Sequence, residues 1–459
     1  MGKAASLNSD PEEATFLRSN MPHELRIHHA PKIASRFSER TVPAEQTLAR
    51  ARAMAAAKGV TRLADITGLD RVGIPVFTAV VPKSDDTITV YNGKGCSPLD
   101  ARTGALMEGI ERQTALDTDI EIIKGSYAQL RHYASRAIDP DLFNHRLRDD
   151  YDSNKPYGWA RGYDLIAGET VLVPASLGGF GPRFAGAASP FVAYSSNGLA
   201  SGNCMEEAVC HALCELVERD AWTLADLRSH WIPTARREAF PEALPDTAGM
   251  DDCNAYARID LSAAGWPISE LMEKFAQANL RPVVRDISSD FGVTCVIASV
   301  VDDWLPGVPQ AHSGLGAHPN ARIAVVRALT ELAQSRAVDI QGVREDILPA
   351  DAVPLEHERH TQRLRTVDHT RWMLRDQGAR RHFTDVPSVE HDDVADDIRW
   401  ILSGLQGEGI QSAIVVDLTE PGGFPVVRVA IPGLEFWVMD NGKLGPRALR
   451  FWKQHAAAA

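Results

Sequence analysis

The chain has 459 residues, 44% of them hydrophobic and 24% charged, which is the composition of a globular protein with a substantial core. Its 61 acidic against 48 basic side chains give a net charge of −13, which argues against a broad nucleic-acid-binding face. Six cysteines are too few for a disulfide framework, and no apolar run is long enough to cross a membrane, so we expect a cytoplasmic protein.

The N-terminal part of the chain changes character at about residue 25. Residues 1–24 are polar and are predicted to form a flexible tail. An N-terminal helical segment, 25–64, follows, with one helix predicted over 43–59 between Pro43 and Gly59.

One large domain is predicted over 65–440, followed by a C-terminal tail, 441–459. In chain order its elements are strands at 73–81 and 86–93, a helix at about 97–117, a strand at 169–177, a glycine-bearing loop at 194–203, a helix at 204–226, strands at 282–288 and 292–301, a loop at 313–320, a helix at about 320–337, and strands at 413–419 and 424–433. These elements interleave without the regular spacing of βαβ units, so we expect a mixed α+β fold. A strand–turn–helix unit recurs in it.

The three long helices share the pattern Ala-Leu-x-Glu, in GALMEGIERQ (104–113), HALCELVERD (211–220) and RALTELAQSR (327–336). The first two copies continue to a second Glu and an Arg, whereas the third has Gln334 in place of the second Glu. On the second helix four polar side chains fall within an arc of roughly 80°, opposite an apolar face: Glu207, His211, Glu215 and Glu218.

Each acidic stripe has an ordinary interpretation, because charged faces of helices usually contact water. Three features favour a binding site instead. Lysine is not interleaved with the glutamates as on a solvated helix, both full motifs end in Glu-Arg, and each helix follows a glycine loop that suits an anion. Clustered carboxylates require compensating cations. Mg²⁺ would compensate them and would bind the oxygens of a polyphosphate at the same time.

The common nucleotide-binding loops are not present. The chain contains neither a GxxxxGK[ST] motif nor a kinase-type glycine loop. Asn203 is placed either to cap the second helix or to contact a nucleotide. Cys210 and Cys214 stand near His211, but no second Cys or His pair has zinc spacing, so we interpret both cysteines as packing residues.

Three long segments resemble the YcaO family in the same order: NGKGCSPLDARTGALMEGIER, SSNGLASGNCMEEAVCHALCELVERDA and GAHPNARIAVVRALTELAQSR. The resemblance extends over roughly 65–435. It implies that the chain binds ATP and Mg²⁺ without a P-loop and uses ATP to activate the carbonyl oxygen of a peptide bond. The repeated glutamate helices are then expected to form the walls of one ATP–Mg²⁺ chamber.

The resemblance also implies roles for individual residues. The expected metal ligands are Glu108, Glu111, Glu207, Glu218 and Glu331. The expected nucleotide contacts are Asn203, Glu215, Arg219 and Arg327, with Arg40 and Thr47 as a weaker match near the N-terminus. A serine that contacts the nucleotide in some members is replaced here by Ala200, so that contact is lost or moved to Ser201. The family's proline-rich C-terminal tail is not matched, and no catalytic base is assigned.

The segments 66–76 and 424–435 resemble the subgroup that is paired with a TfuA-like protein and linked to thioamide formation from a sulfide source. The expected partners are therefore a peptide or protein substrate, a TfuA-like protein and a sulfide source, without nucleic acid or membrane, and a homodimer stays open. Two other enzymes remain as alternatives: an azoline-forming cyclodehydratase acting on a precursor peptide, and an ATP-dependent carboxylate–amine ligase. A non-catalytic ATP-binding scaffold is a third.

Overall fold

The computed structural model describes residues 5–6, 25–33, 39–86, 88–133, 136–186, 189–192, 195–239, 251–303, 310–342, 371–440 and 443–456. The predicted tail, 1–24, lies outside these residues except for Ala5 and Ser6. None of the described helices combines the length and the apolarity needed to span a membrane.

The described strands form three sheets. A three-stranded sheet has the order β2 (Arg62–Asp65), β3 (Val76–Val80), β4 (Val90–Lys94). A five-stranded sheet has the order β12 (Gln310–His318), β11 (Thr294–Asp302), β10 (Val283–Asp286), β9 (Arg258–Asp260), β13 (Arg380–His382). A seven-stranded sheet has the order β1 (Ala5–Ser6), β5 (Ile123–Ser126), β6 (Pro156–Asp164), β14 (Ile414–Asp417), β15 (Val426–Ala430), β8 (Leu199–Ser201), with β7 (Glu169–Pro174) also paired to β6.

Helices pack on these sheets, as the mixed α+β prediction requires. They are α1 (Ala44–Ala55), α2 (Pro98–Asp117), α3 (Tyr127–Tyr133), α4 (Ala175–Gly178), α5 (Met205–Asp226), α6 (Ile232–Ala239), α7 (Ile268–Gln277), α8 (Ala321–Gly342), α9 (Val394–Gly407), α10 (Trp437–Asp440) and α11 (Pro446–Ala456). A π-helical turn, Leu227–Trp231, joins α5 to α6.

The predicted strand–turn–helix unit occurs three times, as β4–α2, β8–α5 and β12–α8. Each of these strands lies at the end of a different sheet. The units also contact one another in a ring, because α2 contacts β8, α5 contacts β12 and α8 contacts β4. This ring places the glutamate-bearing faces of the three helices around one space.

Small residues allow each helix to lie close to its own strand. Two alanines one turn apart on each helix are fully buried, at Ala101 and Ala105, Ala208 and Ala212, and Ala324 and Ala328. The strand residue facing such a pair is Gly93 in β4 and Gly316 in β12. A Cβ atom on either glycine would lie 2.1 Å from a helix carbonyl oxygen. Glycine is therefore required at these positions for close packing of strand on helix.

Two predicted loops contain strands, since β8 (Leu199–Ser201) lies within the predicted loop 194–203 and β12 enters the predicted loop 313–320. The packing of small residues explains the second case. Residues 313–320 are predicted as a loop because of their glycines, but β12 extends to His318. A Cβ atom on Gly314 would lie 2.2 Å from the backbone nitrogen of Leu332. The glycines therefore bring the strand against α8 and do not form a turn.

The C-terminal segment, 441–459, which the sequence predicts as a tail, includes helix α11. Ala448 of this helix is fully buried against Leu224 and Leu227, and Phe451 and Trp452 pack on the same cluster. The carboxylate of Glu435 accepts the backbone N–H groups of Gly445 and Ala448, both at 2.9 Å. These bonds satisfy N–H groups at the start of the helix, which otherwise have no partner inside it.

Candidate active site

The first glutamate of each Ala-Leu-x-Glu motif accepts a backbone N–H from the strand region of its own unit. Glu108 accepts from Asn92 at 2.9 Å, Glu215 from Gly198 at 3.0 Å, and Glu331 from Leu315 at 3.2 Å. The three bonds fix each carboxylate at the inner surface of the ring. The glutamate of the repeated motif therefore makes the same contact with a backbone N–H in all three units.

The second glutamate of each full motif also lies in the ring, and on α5 it is more buried than the first. Ser201 donates a hydrogen bond to Glu111 at 2.9 Å, and Glu218 is only 4% exposed. Burial raises the pKa of Glu111 to about 8, and the neighbouring Glu108 and Glu215 carboxylates act in the same direction. Burial also raises the pKa of Glu218 to about 7. The acidic stripe of α5 therefore differs from a solvated helix face, because Glu207 and Glu218 are only 3% and 4% exposed.

Cationic side chains stand among these carboxylates. Lys94 forms an ion pair with Glu331, and Arg112 lies 3.8 Å from Glu108. Arg219 lies 3.6 Å from both Glu215 and Glu218. Burial alone would raise the pKa of Glu331, but the ammonium group of Lys94, followed by Arg219, holds it below its ordinary value.

A fourth cation, Arg428 on β15, is buried beneath the ring. One of its terminal nitrogens donates to the Ser195 carbonyl oxygen at 2.5 Å, and the other has no hydrogen-bond partner among the described residues. Burial lowers the pKa of Arg428 to about 10, although the carboxylates of Glu215 and Glu111 oppose this. A buried guanidinium with an unused N–H group is suited to bind an anion.

The N-terminal segment closes one side of the ring through Glu207. This carboxylate accepts the backbone N–H of Thr41 at 2.6 Å and its hydroxyl at 2.7 Å. It also accepts the backbone and side-chain nitrogens of Asn203, both at 2.9 Å. Arg40 lies 3.6 Å from it, and the hydroxyl of Thr47 donates to Asn203 at 2.8 Å.

These contacts correct the capping role considered for Asn203. The N-cap residue of α5 is Cys204, and its side chain makes no capping bond. Asn203 uses its amide to join Thr47 to Glu207 instead.

Arg327 does not pair with the motif glutamates and contacts Glu39 and His211 instead. It donates to Glu39 at 3.3 Å and to the Nε2 atom of His211 at 3.0 Å. Burial opposes ionisation of the guanidinium, but the Glu39 carboxylate raises the pKa of Arg327 above its ordinary value. Burial, followed by the charge of Arg327, holds the pKa of His211 well below its ordinary value.

Cys210, His318 and Asp397 form a buried group with ligand atoms within 4.8 Å of one another. The sequence does not predict this association, because the three residues come from α5, β12 and α9. The Nδ1 atom of His318 accepts the N–H of Asn320 at 3.0 Å, so the neutral ring carries its proton on Nε2. That nitrogen faces Glu39 at 3.0 Å and Asp397 at 3.6 Å. It has no hydrogen-bond partner among the described residues, although both carboxylates lie within 4 Å of it.

The structure therefore brings all the sequence-predicted positions into one charged region. Sequence reasoning missed four members of it: Glu39, Lys94, Arg112 and Arg428. Lys94 lies in the first of the segments that resemble the YcaO family, and Arg428 lies in the predicted strand 424–433, but neither received a role there. Arg112 ends the first full motif at the same position as Arg219 ends the second. The role expected for Arg219 could therefore have indicated Arg112.

The residues present fit hard divalent cations. Mg²⁺ takes oxygen ligands and commonly combines one or two carboxylates with phosphate oxygens. Burial raises the pKa of Glu108, Glu111 and Glu218 despite the nearby cationic side chains, so the ionised carboxylates would be stabilised by further positive charge. Bound cations would supply that charge.

The model of one protein family matches residues 92–435, under the description YcaO cyclodehydratase, ATP- and Mg²⁺-binding. This chain therefore belongs to the YcaO family, a family of ATP- and Mg²⁺-binding proteins. An uncharacterized protein of Methanothermobacter thermautotrophicus is 34% identical over 402 residues, which cover 85% of this chain and 93% of that protein. A protein of Rhizobium leguminosarum bv. trifolii, named for its place in the tfuA 3′ region, is 32% identical over 424 residues, covering 90% and 93%.

Solved structures share the fold. YcaO from Methanopyrus kandleri, bound with AMPPCP and Mg²⁺, superposes with a TM-score of 0.64 at 24% identity, covering 90% of this chain and 98% of that one. A heterocyclase in complex with substrate and cofactor gives a TM-score of 0.71 at 20% identity, with 94% of this chain covered. This chain corresponds to 57% of that heterocyclase chain.

Proposed function

We propose that this protein uses Mg²⁺-ATP to convert a backbone amide of a peptide or protein into a thioamide. Hydrosulfide adds to the amide carbon, and the resulting oxyanion takes the γ-phosphoryl group, releasing ADP. The C–O bond then breaks, phosphate leaves with the former amide oxygen, and loss of the sulfur-bound proton gives C=S. The convergence of the three glutamate helices on one space is the observation that carries the ATP-dependent part.

The metal ions would be held by Glu108, Glu111, Glu207, Glu218 and Glu331. Magnesium supplies neutralisation of phosphate charge, which is the main requirement of phosphoryl transfer. The nucleotide would be contacted by Arg40, Thr47, Asn203, Glu215, Arg219 and Arg327. Glu207 also accepts hydrogen bonds from Thr41 and Asn203, so the N-terminal segment contacts a carboxylate that would hold the metal.

Two observations support sulfide as the nucleophile. The segments 66–76 and 424–435 resemble the TfuA-associated subgroup, and a relative that covers 90% of this chain is named for the tfuA 3′ region. A TfuA-like partner and a sulfide source are therefore part of the proposal. Azoline formation by a neighbouring Cys, Ser or Thr side chain is the alternative reaction of the same chamber.

Mass spectrometry of the host proteome distinguishes the two reactions. Proteins from a strain lacking this gene are compared with those from strains carrying the wild type or Glu218→Gln. We expect one or more peptides that carry sulfur in place of oxygen in the wild type and are unmodified in the other two strains. A gene-dependent loss of one water at a Cys, Ser or Thr would contradict thioamide formation while leaving amide activation in place.

Oxygen labelling tests the amide-activation step and separates it from a carboxylate–amine ligase. The peptide found by mass spectrometry is synthesised with ¹⁸O in the modified amide and incubated with the enzyme, ATP, Mg²⁺, sulfide and the TfuA-like protein. We expect ¹⁸O in the released phosphate. Phosphate without the label would contradict the proposed path.

A further inference from the structure

A groove of about 560 Å³ opens between β2, α1 and α2. On α2 it is lined by Arg102 and Leu106. Glu111 lies roughly 140° to 180° around the helix from these two residues, so the groove is on the side of α2 away from the carboxylates. The groove is therefore separate from the ATP–Mg²⁺ chamber, although both use the same helix.

The groove has an apolar floor. Phe77 and Leu106 are buried beneath it, and Leu63 of β2 is half-buried at its side. The guanidinium of Arg102 lies over the Phe77 ring, 4.8 Å from its centroid. Side chains of moderate size would gain apolar contact here.

The outer edge of β2 borders the groove. In the described part of the chain, β3 is the only strand that pairs with β2. The N–H of Ile66 donates to the carbonyl oxygen of Val76 at 3.1 Å, and hydrogen-bonded positions alternate along an antiparallel ladder. Leu63 and Asp65 therefore direct their backbone N–H and C=O groups away from β3. Such an edge is a template for an added strand.

The charge of the groove is opposite to that of the whole chain. Three arginines line it, Arg52, Arg62 and Arg102, against one carboxylate, Asp65. None of the three arginines makes an ion pair with another described residue, in a chain whose net charge is −13. Unpaired guanidinium groups in a fixed groove favour carboxylates.

We infer that this groove binds an extended, acidic segment of the peptide substrate, which adds as a strand to the outer edge of β2. Main-chain hydrogen bonds to Leu63 and Asp65 provide affinity. Peptide side chains on the Leu63 face of the sheet meet the apolar floor together with Arg52 and Arg102, and those on the opposite face meet Arg62. This inference rests on the proposed function, because it supposes a peptide substrate. The docked segment lies outside the amide that is modified.

The groove lies close to the ATP–Mg²⁺ chamber along α2. From Arg102 to Glu108 the rise along α2 is only about 9 Å. A substrate held at β2 keeps its remaining residues close to the chamber, so the reactive amide arrives at a raised effective concentration. One segment of the substrate then binds the groove while another segment reacts in the chamber.

The test uses a synthetic fluorescein-labelled peptide in which glutamate alternates with valine or threonine. Its binding to the full chain is followed by fluorescence anisotropy, with a peptide carrying lysine for glutamate as the charge control. A third peptide has the acidic sequence with N-methyl groups on alternate backbone nitrogens. The protein variants are Arg62→Glu and the triple change Arg52→Glu, Arg62→Glu, Arg102→Glu, with Arg237→Glu on the exposed side of α6 as the matched control.

We expect the acidic peptide to bind and to slow hydrogen exchange at residues 61–65. Affinity should fall on the order of tenfold in the triple variant, and by less in Arg62→Glu, with no change in Arg237→Glu. The lysine peptide should not bind, and N-methylation should abolish binding. Equal affinity of the triple variant or of the N-methylated peptide, or protection elsewhere than 61–65, would overturn strand addition at β2.

Nucleotide binding keeps this result distinct from the proposed function. Magnesium-dependent AMPPCP binding should be unchanged in all the arginine variants, which also shows that they fold. Loss of peptide binding with AMPPCP binding intact supports the groove. A wild-type protein that binds the peptide but not AMPPCP would refute the proposed function and leave the groove in place.

Discussion

Two buried glutamates of the chamber differ in what their carboxylates do. Glu207 accepts four hydrogen bonds, from Thr41 and Asn203, so its charge is matched by donors of the protein. Glu218 accepts no comparable set among the described residues, and its pKa is raised to about 7 by burial. Glu218 is therefore the carboxylate that depends more on an added cation.

This difference predicts two distinct phenotypes. Glu218→Gln should reduce ATP turnover on the order of a hundredfold and leave thermal stability close to that of the wild type, because the amide resembles the protonated acid that burial already favours. Glu207→Gln should reduce turnover and also lower the melting temperature, because its amide nitrogen cannot accept the N–H groups that now point to it.

Phosphate release and calorimetry measure the two effects. Glu273→Gln, on the exposed face of α7, is the matched control and should change neither. Full Mg²⁺-dependent turnover in Glu218→Gln would remove this residue from the metal site.

His211 gives a prediction about pH. Its pKa in the folded state is held well below the ordinary value of 6.5, first by burial and then by Arg327. The unfolded chain therefore binds a proton that the folded chain does not. Stability from this group is present above pH 6.5 and is lost as the pH falls toward the folded-state pKa, by at most about 1.4 kcal/mol per pH unit for one proton.

Replacing His211 by Gln removes that proton while keeping an oxygen that can accept from Arg327. The melting temperature of the variant should fall less between pH 7 and pH 5 than that of the wild type. His382→Gln, at a side chain that is 74% exposed, should follow the wild-type curve. Parallel curves for the wild type and His211→Gln would show that the imidazole does not titrate as described.

At the scale of single elements, helix α11 is attached by buried polar contacts. Glu435 accepts two N–H groups at the start of the helix, and Asp220 accepts the N–H of Glu435 at 3.0 Å and a nitrogen of Arg447 at 3.2 Å. Burial raises the pKa of both carboxyl groups. These contacts hold the helix against the end of α5.

Gly445 precedes this helix in a space that admits no side chain. A Cβ atom there would lie 2.2 Å from the amide atoms of Asn144, which is fully buried. Gly445→Ala should therefore lower the free energy of unfolding by about 1–3 kcal/mol. Gly407→Ala, where a Cβ meets nothing within 4 Å, should be neutral or slightly stabilising. Chemical denaturation compares the two variants, and equal stability would contradict the tight fit at Gly445.

The elements differ in how well the sequence predicts them. Helices α2 and α5 begin within a residue or two of the predicted starts, because Ser97 forms a capping box with Asp100 and an apolar face runs along each helix. Strand β12 is predicted in part as a loop, because glycine in a sequence usually indicates a turn. Here Gly314 and Gly316 serve the contact with α8, which depends on tertiary packing.

At the scale of the whole molecule, the site is formed by the end strands of three sheets and the helix that follows each. The repeated Ala-Leu-x-Glu motif indicates the three helices in the sequence, and the family resemblance implies the roles of the individual glutamates. The roles of Lys94 and Arg428 could not be found in this way, because they depend on which units are neighbours: Lys94 of the first unit pairs with Glu331 of the third. A repeated motif indicates that similar units exist in the chain, but it does not show which units are neighbours in the fold.

The proposed function requires this ring of carboxylates to bind a nucleotide through Mg²⁺. Isothermal titration of AMPPCP into the full chain, with and without Mg²⁺, tests it most directly. We predict stoichiometric binding that requires Mg²⁺ and is lost in Glu218→Gln and Glu331→Gln but kept in Glu273→Gln. Binding of AMPPCP in the absence of divalent cations, or unchanged binding in both chamber variants, would contradict a metal-dependent nucleotide site at these carboxylates.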